Sequence, residues 1–298
     1  MAKTIVTGAS GFIGYQIAQA SVGSGNEVVG YTSRPGADLP EGVVERVVDL
    51  TNDATVRTAL QADSPEILIH SAWQSVIAGL WGAPQNLDWV KHSLSLAEAF
   101  ADIGGRRFVG IGSCGEYDWA SGLCSEETTL LKPSTFYGAC KHSLETLLSG
   151  FFDLKNLEFA WLRPFFVYGP RENTSRLGAS VVSSILKGEP ALCSHGMQLR
   201  DYLHVTDVGE GVAAFANSDL TGAFNIGSGT AIRVKDLIAA LAEAAGDPGL
   251  VRLGARDAPA FEPPLIVADM SKAHAALEWR PRFSLQSGAK DTVRRFRS

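Results

Sequence analysis

Cysteine is scarce in this chain of 298 residues: there are four, Cys114, Cys124, Cys140 and Cys193, and no two of them form a C-x-x-C pair. A chain this long buries a core without covalent staples, so reduced thiols are expected, with no disulfide framework and no metal site. Long apolar runs are missing too. None approaches the ~20 residues that span a bilayer, and the strand-like Lys3-Thr4-Ile5-Val6 stands where a signal peptide would carry its apolar stretch. A soluble, cytoplasmic protein with no membrane partner is expected. Nor is there a basic excess: 26 Lys+Arg stand against 32 Asp+Glu, for a formal net charge of −6. Nucleic acid is therefore excluded as a partner on electrostatic grounds.

Glycine, by contrast, is abundant, at 31 residues. That is above the ~7% of an ordinary chain, which points to backbone positions needing close approach or positive φ. Short β-branched runs at residues 4–6, 27–31, 43–48, 67–70, 107–111 and 158–163 alternate with stretches of three- and four-residue apolar spacing at 12–22, 53–62 and 86–103. Several of these runs are almost wholly apolar, as in strands buried on both faces. The alternation predicts a parallel sheet covered by helices. Beyond residue 165 the pattern loosens, and Asp257 to Pro264 reads as a Pro-rich loop.

Directly after the first run comes Thr7-Gly8-Ala9-Ser10-Gly11-Phe12-Ile13-Gly14. Glycines at a strand-to-helix turn let the backbone approach a pyrophosphate, and the helix N-terminus offers free N–H groups to the anion. The spacing is G-x-x-G-x-x-G rather than the commoner G-x-G-x-x-G. This opening resembles the extended short-chain dehydrogenase/reductase family, whose members begin T-G-A-x-G-F-I-G. The resemblance implies an α/β, doubly wound parallel-sheet Rossmann fold over residues 1–165, with about 204–227 returning to it. Residues 166–298 would form mainly a smaller mixed α/β substrate-binding part. It further implies that Gly8, Gly11, Phe12, Ile13, Gly14, Asp49, Leu50, Ala72, Pro164 and Val167 hold a dinucleotide.

An NAD site places an acid after the second strand, whereas a 2′-phosphate needs a cation there. Residues 31–34 read Tyr31-Thr32-Ser33-Arg34, with no acid before Asp38. Ser33 and Arg34 therefore point to NADP(H), with NAD(H) as the alternative.

Tyr137 and Lys141 stand four residues apart, one turn along a helix face. An ammonium beside a phenol is expected to lower its pKa toward working pH and suit it to proton transfer. Ser113, in Gly112-Ser113-Cys114-Gly115-Glu116-Tyr117, matches the family's catalytic Ser/Thr position. The resemblance implies that Ser113 binds the substrate oxygen, Tyr137 moves its proton and Lys141 holds the nicotinamide ribose.

Residues 195–208 are similar to the R-D-Y/F-x-H-V-x-D segment of the family's nucleotide-sugar branch, in which Arg200 would meet the nucleotide. The loop Leu162 to Arg171 lacks that branch's Asn and carries Phe165, Phe166 and Val167 instead. The family's 4,6-dehydratases have Asp-Glu after the catalytic Ser, and its 3,5-epimerase/4-reductases a Cys two residues on. This chain has Cys114-Gly115, which disfavours both reactions. NADPH-dependent reduction of a 4-keto nucleotide-linked 6-deoxysugar is the first expectation, and a nucleotide-sugar 4-epimerase with tightly bound NAD the alternative. A non-catalytic NADP(H)-sensing regulator would be expected to have lost Tyr137 or Lys141. Trp73, Cys114 and Glu116, beside the reacting centre, are expected to contact the substrate, with a structural role open for Glu116 as well. Apolar stripes at Leu87, Val90, Leu94 and Ala97 and at Leu144, Leu147, Leu148 and Phe151 fit the helices that pair as a homodimer in the family.

Overall fold

The computed structural model describes residues 1–74, 79–258 and 262–297; positions 259–261 of the Pro-rich loop lie outside the described residues. The first half runs β1 (Lys3–Thr7), α1 (Phe12–Gly23), β2 (Glu27–Thr32), β3 (Val43–Val47), α2 (Asp53–Asp63), β4 (Ile67–His70), α3 (Gln85–Asp102), β5 (Arg107–Ile111), β6 (Leu123–Cys124) and α4 (Phe136–Lys155). The second runs β7 (Glu158–Pro164), β8 (Phe166–Tyr168), α5 (Leu177–Leu186), β9 (Ala191–Leu192), β10 (Leu199–His204), α6 (Val205–Ala216), β11 (Gly222–Ile226) and β12 (Ala231–Arg233). It closes with α7 (Val234–Ala245), β13 (Val251–Arg252), β14 (Leu265–Ala268), α8 (Ser271–Ala276) and α9 (Leu285–Arg297).

Seven parallel strands form the main sheet in the order β11-β7-β5-β4-β1-β2-β3. The apolar runs sort their side chains by the period of a strand, alternate residues pointing to opposite faces. Val6, Ile67, Ile69 and Val109 join one core with Ile17 of α1 and Val208 and Val212 of α6. Ile5, Leu68 and Phe108 join the other, with Leu60 of α2, Leu96 of α3 and Leu144 and Leu148 of α4. Both faces are covered, which is why these strands carry almost no polar residues.

The chain builds outward from β1 through β2 to β3, then returns to β4 on the other side. That reversal between β1 and β4 opens a crevice at the carboxyl ends of the strands. Thr7 fixes its floor: its hydroxyl bonds His70 Nδ1 at 2.8 Å and accepts from the Ser71 and Ala72 N–H groups. The smaller layer is a sheet of order β12-β10-β14-β6, with β8 paired to β10. It packs beside a third core built from α5, α7 and α9. Among the described residues no helix is long and apolar enough to cross a membrane.

Phe108 is fully buried among Phe100, Phe152 and Phe159. Phe108→Ala should lower the unfolding free energy by about 3–5 kcal/mol, because the surrounding strands cannot collapse into the void. Urea titration of the two proteins checks this.

Candidate active site

The crevice continues into a single cavity of about 1260 Å³ that runs from the glycine turn to the N-terminus of α5. At one end are Gly8, Gly11, Phe12, Ile13 and Gly14, with Ser33, Asp49, Leu50 and Ala72 beside them. A Cβ on Gly14 would stand 2.1 Å from the Gly8 carbonyl oxygen, so only glycine lets α1 start this close to the turn. The chemistry of this cradle fits a dinucleotide: backbone N–H groups and a helix start, with no carboxylate in the turn itself.

Ser113, Tyr137 and Lys141 all line the same cavity, as do Cys114, Trp73, Pro164 and Val167. Two features bring the first three together. Thr135 caps α4 by accepting from the Gly138 N–H at 3.0 Å, which puts Tyr137 in the first turn and Lys141 one turn on. Gly138 then lets α4 lie against the segment after β5, where a Cβ would meet the Gly115 carbonyl oxygen at 2.1 Å.

The electrostatics depart from expectation. Burial pushes the Tyr137 phenol well above its ordinary value, and the interactions opposing it come from Ser113 and Arg176 rather than from Lys141. The Lys141 ammonium is turned elsewhere: it donates to the Ile111 carbonyl at 2.8 Å and lies over the Trp73 ring. Burial brings Lys141 down to about 7, partly offset by Glu116. The Cys114 thiol is pushed up by burial and stays neutral.

Three expected ligand contacts are placed off the cavity wall. Glu116 is fully buried; it accepts from the Ser113 N–H at 2.7 Å, from Trp161 Nε1 and from Arg163 Nε at 2.6 Å. It holds the backbone of Ser113 and is turned away from the cavity. Arg200 is also buried, donating to Glu262 at 3.0 Å and to its neighbour's carbonyl, since a guanidinium in the interior must find acceptors. Arg34 is exposed beyond the rim while Ser33 lines it. Glu45, missed in the sequence because it lies on β3, folds its carboxylate beside that loop, accepting from the Gly36 and Ala37 N–H groups and from Thr32.

The cavity also has walls that spacing did not signal: Trp81, Phe166, Glu172, Asn173, Arg176 and Tyr202. Trp81 meets Tyr137 edge-on at 5.5 Å. Glu172 accepts from the Ala179 N–H of α5 at 3.0 Å, and burial raises its carboxyl to about 7 against the pull of Arg176 and that N–H.

Two outcomes follow. Glu116→Ala leaves the buried Arg163 guanidinium with the more distant Glu145 carboxylate at 3.9 Å and should cost about 3–5 kcal/mol of stability, measured by denaturant unfolding. Glu172 binds its proton more tightly folded than unfolded, so its contribution is greatest below its ordinary value of 4.5 and is lost as pH rises through about 7. Unfolding free energy should therefore fall across that window, and Glu172→Gln should flatten the fall in titrations repeated at each pH.

Residues 4–227 match the model of the NAD dependent epimerase/dehydratase family. The chain is 30% identical to the UDP-glucose 4-epimerase of Mycolicibacterium smegmatis over 99% of both chains. It is 25% identical to the UDP-glucuronate 4-epimerase of Thermodesulfobacterium geofontis, over 98% of this chain and 95% of that one. Among solved structures, the Thermus thermophilus UDP-glucose 4-epimerase in complex with NAD superposes with a TM-score of 0.88 at 28% identity, covering 99% of each chain. The Bacillus cereus UDP-glucuronic acid 4-epimerase in complex with UDP-glucuronic acid and NAD gives 0.86 at 26% identity, also over 99% of each. These relatives favour the epimerase over the ketoreductase, reversing the order that Ser33-Arg34 suggested. Matched along most of its length, the protein belongs to the NAD dependent epimerase/dehydratase family.

Proposed function

We propose that this protein is a 4-epimerase of a UDP-linked sugar, working with NAD held in the cleft and closing its redox cycle within one active site. The observation that carries this reading is the convergence of Ser113, Tyr137 and Lys141 on the cavity that also contains the glycine turn. Of the two expected substrate contacts that flank Ser113 on the segment after β5, Glu116 is committed to Arg163 and the Cys114 thiol stays neutral. Oxidation and re-reduction at one carbon needs one hydroxyl anchor and one proton carrier, and this site supplies that minimal set.

Ser113 would bind the reacting oxygen, and Tyr137 would exchange its proton. Lys141 would hold the nicotinamide ribose. Nicotinamide supplies the hydride acceptor and donor when bound. Gly8, Gly11 and Gly14 would cradle the pyrophosphate, and Asp49 and Leu50 the adenine end. The sugar would lie toward Trp81, Phe166 and Tyr202. With Arg200 tied to Glu262 and Arg171 tied to Asp38 near the glycine turn, Arg176 is the cation that lines the α5 end of the cavity.

A second reading keeps a specific support. With Thr32-Ser33-Arg34 at the end of β2 and Arg34 exposed, NADPH-dependent reduction of a 4-keto sugar nucleotide remains the competitor, although the Glu45 carboxylate beside the loop weighs against a 2′-phosphate. The homodimer is also a proposal. It rests on α3 packing against α4 and on the exposed apolar side chains Leu87, Leu147 and Leu154 of these helices.

The purified protein should invert C4 of UDP-glucose or UDP-glucuronate, followed by proton NMR, with no net change in nicotinamide absorbance. Tyr137→Phe should reduce the rate by about 10²–10⁴-fold. Consumption of NADPH with a 4-keto-6-deoxyhexose nucleotide, without C4 inversion of either UDP-sugar, would establish the reductase instead. Leu147→Glu should convert a dimer to monomer in light scattering.

A further inference from the structure

Trp73 is expected from the sequence to face a sugar ring. In the structure a cation occupies one face of its indole: Lys141 Nζ lies 3.7 Å from the ring centroid. The ring is held in that position. Its Nε1 donates to Asn86 Oδ1 at 2.9 Å, and the amide of Asn86 donates in turn to the Leu80 and Ala83 carbonyls. Asn86 is 1% exposed, so this anchor is buried. The Trp73 ring also meets the Tyr137 ring nearly at right angles, centroids 6.1 Å apart.

A buried ammonium needs its charge offset, and few groups around Lys141 are able to do so. Glu116, on the segment after β5, offsets part of the cost while ion-paired with Arg163. His70, at the end of β4, is held neutral, since burial and then Lys141 itself drive it down to about 3. Tyr137, on the same helix, is a neutral phenol. The Ile111 carbonyl accepts one N–H, and the Trp161 ring is a more distant π face at 5.9 Å. Beside that carbonyl, Trp73 is therefore the close side-chain partner with negative electrostatic character, and indole has the strongest π face among side chains.

We infer that Trp73 is a positioning residue for Lys141, its indole face keeping the ammonium charged and fixed one helical turn from Tyr137. This rests on the reading of Lys141 as part of the reacting centre. Trp73 thereby acts through another side chain, in a role distinct from the sugar contact expected of it.

The test reads Lys141 directly. Lysines are labelled with ¹³C at Cε, and the Lys141 signal is identified by its loss in Lys141→Met. Its titration midpoint is then followed by NMR in the wild type, Trp73→Phe and Trp73→Leu. Trp73→Leu should move the midpoint down by about one pH unit and Trp73→Phe by less, the other lysines staying put. The alkaline limb of kcat/KM should move down with it, because the ammonium is lost at lower pH. An unchanged Lys141 midpoint in folded Trp73→Leu overturns the inference; if that variant does not fold, an unchanged midpoint in Trp73→Phe does so. Undiminished turnover in Lys141→Met would sink the catalytic reading separately, leaving the midpoint to report on Trp73 alone.

Discussion

The buried pair of Glu116 and Arg163 is the interaction on which the rest of the site depends. It joins the segment after β5 to β7 at 2.6 Å with both side chains almost wholly out of solvent. Burial alone would lower the Arg163 guanidinium, and Glu116 and Tyr117 together outweigh that and hold it up. Such a pair adds little net stability over an apolar core, yet breaking it is costly, so it confers specificity of arrangement. Glu116 spends its remaining lone pairs on the Ser113 N–H and on Trp161, while Arg163 also reaches the Tyr117 hydroxyl, which in turn bonds Asn225 of β11. The backbone of Ser113 is thus located by a network that joins the segment after β5 to two strands of the main sheet, β7 and β11.

The same economy governs the segment Arg200 to Asp207. Asp201 accepts from the Ser228, Gly229 and Ala268 N–H groups, clasping β10 to its neighbours. Asp207, at the start of α6, accepts from the Arg282 and Phe283 N–H groups, and His204 stacks on Phe283 at 4.1 Å. Charged residues that resemble a ligand-reading motif here mostly tie the C-terminal segments to the sheet. Buried charge has to be paired, and the nearest partners are backbone N–H groups of neighbouring loops.

Much of the fold was legible because it rests on short-range rules. The apolar runs at 67–70 and 107–111 can only be strands buried on both faces, and the glycine turn can only precede a helix. The Tyr137 and Lys141 spacing placed both on one face of α4, and the cavity contains them with Ser113. The misreadings concern direction. Lys141 faces Trp73 instead of lowering the Tyr137 phenol, and Arg200 and Glu116 turn inward to partners 62 and 47 residues away. Glu45 went unnoticed because it neighbours the cofactor loop through strand pairing, being opposite Gly30 across β2 and β3.

What the sequence by itself determined is therefore the parallel α/β architecture, the phosphate-cradling turn and the identity of Ser113, Tyr137 and Lys141, which line one cleft. Periodicity, glycine placement and helical spacing act over a few residues and need no knowledge of the rest of the chain. Only the tertiary structure decided which charged side chains reach the cleft and which are consumed in holding it. Ion pairing in a low-dielectric interior depends on partners brought together from distant segments, and no local pattern encodes them.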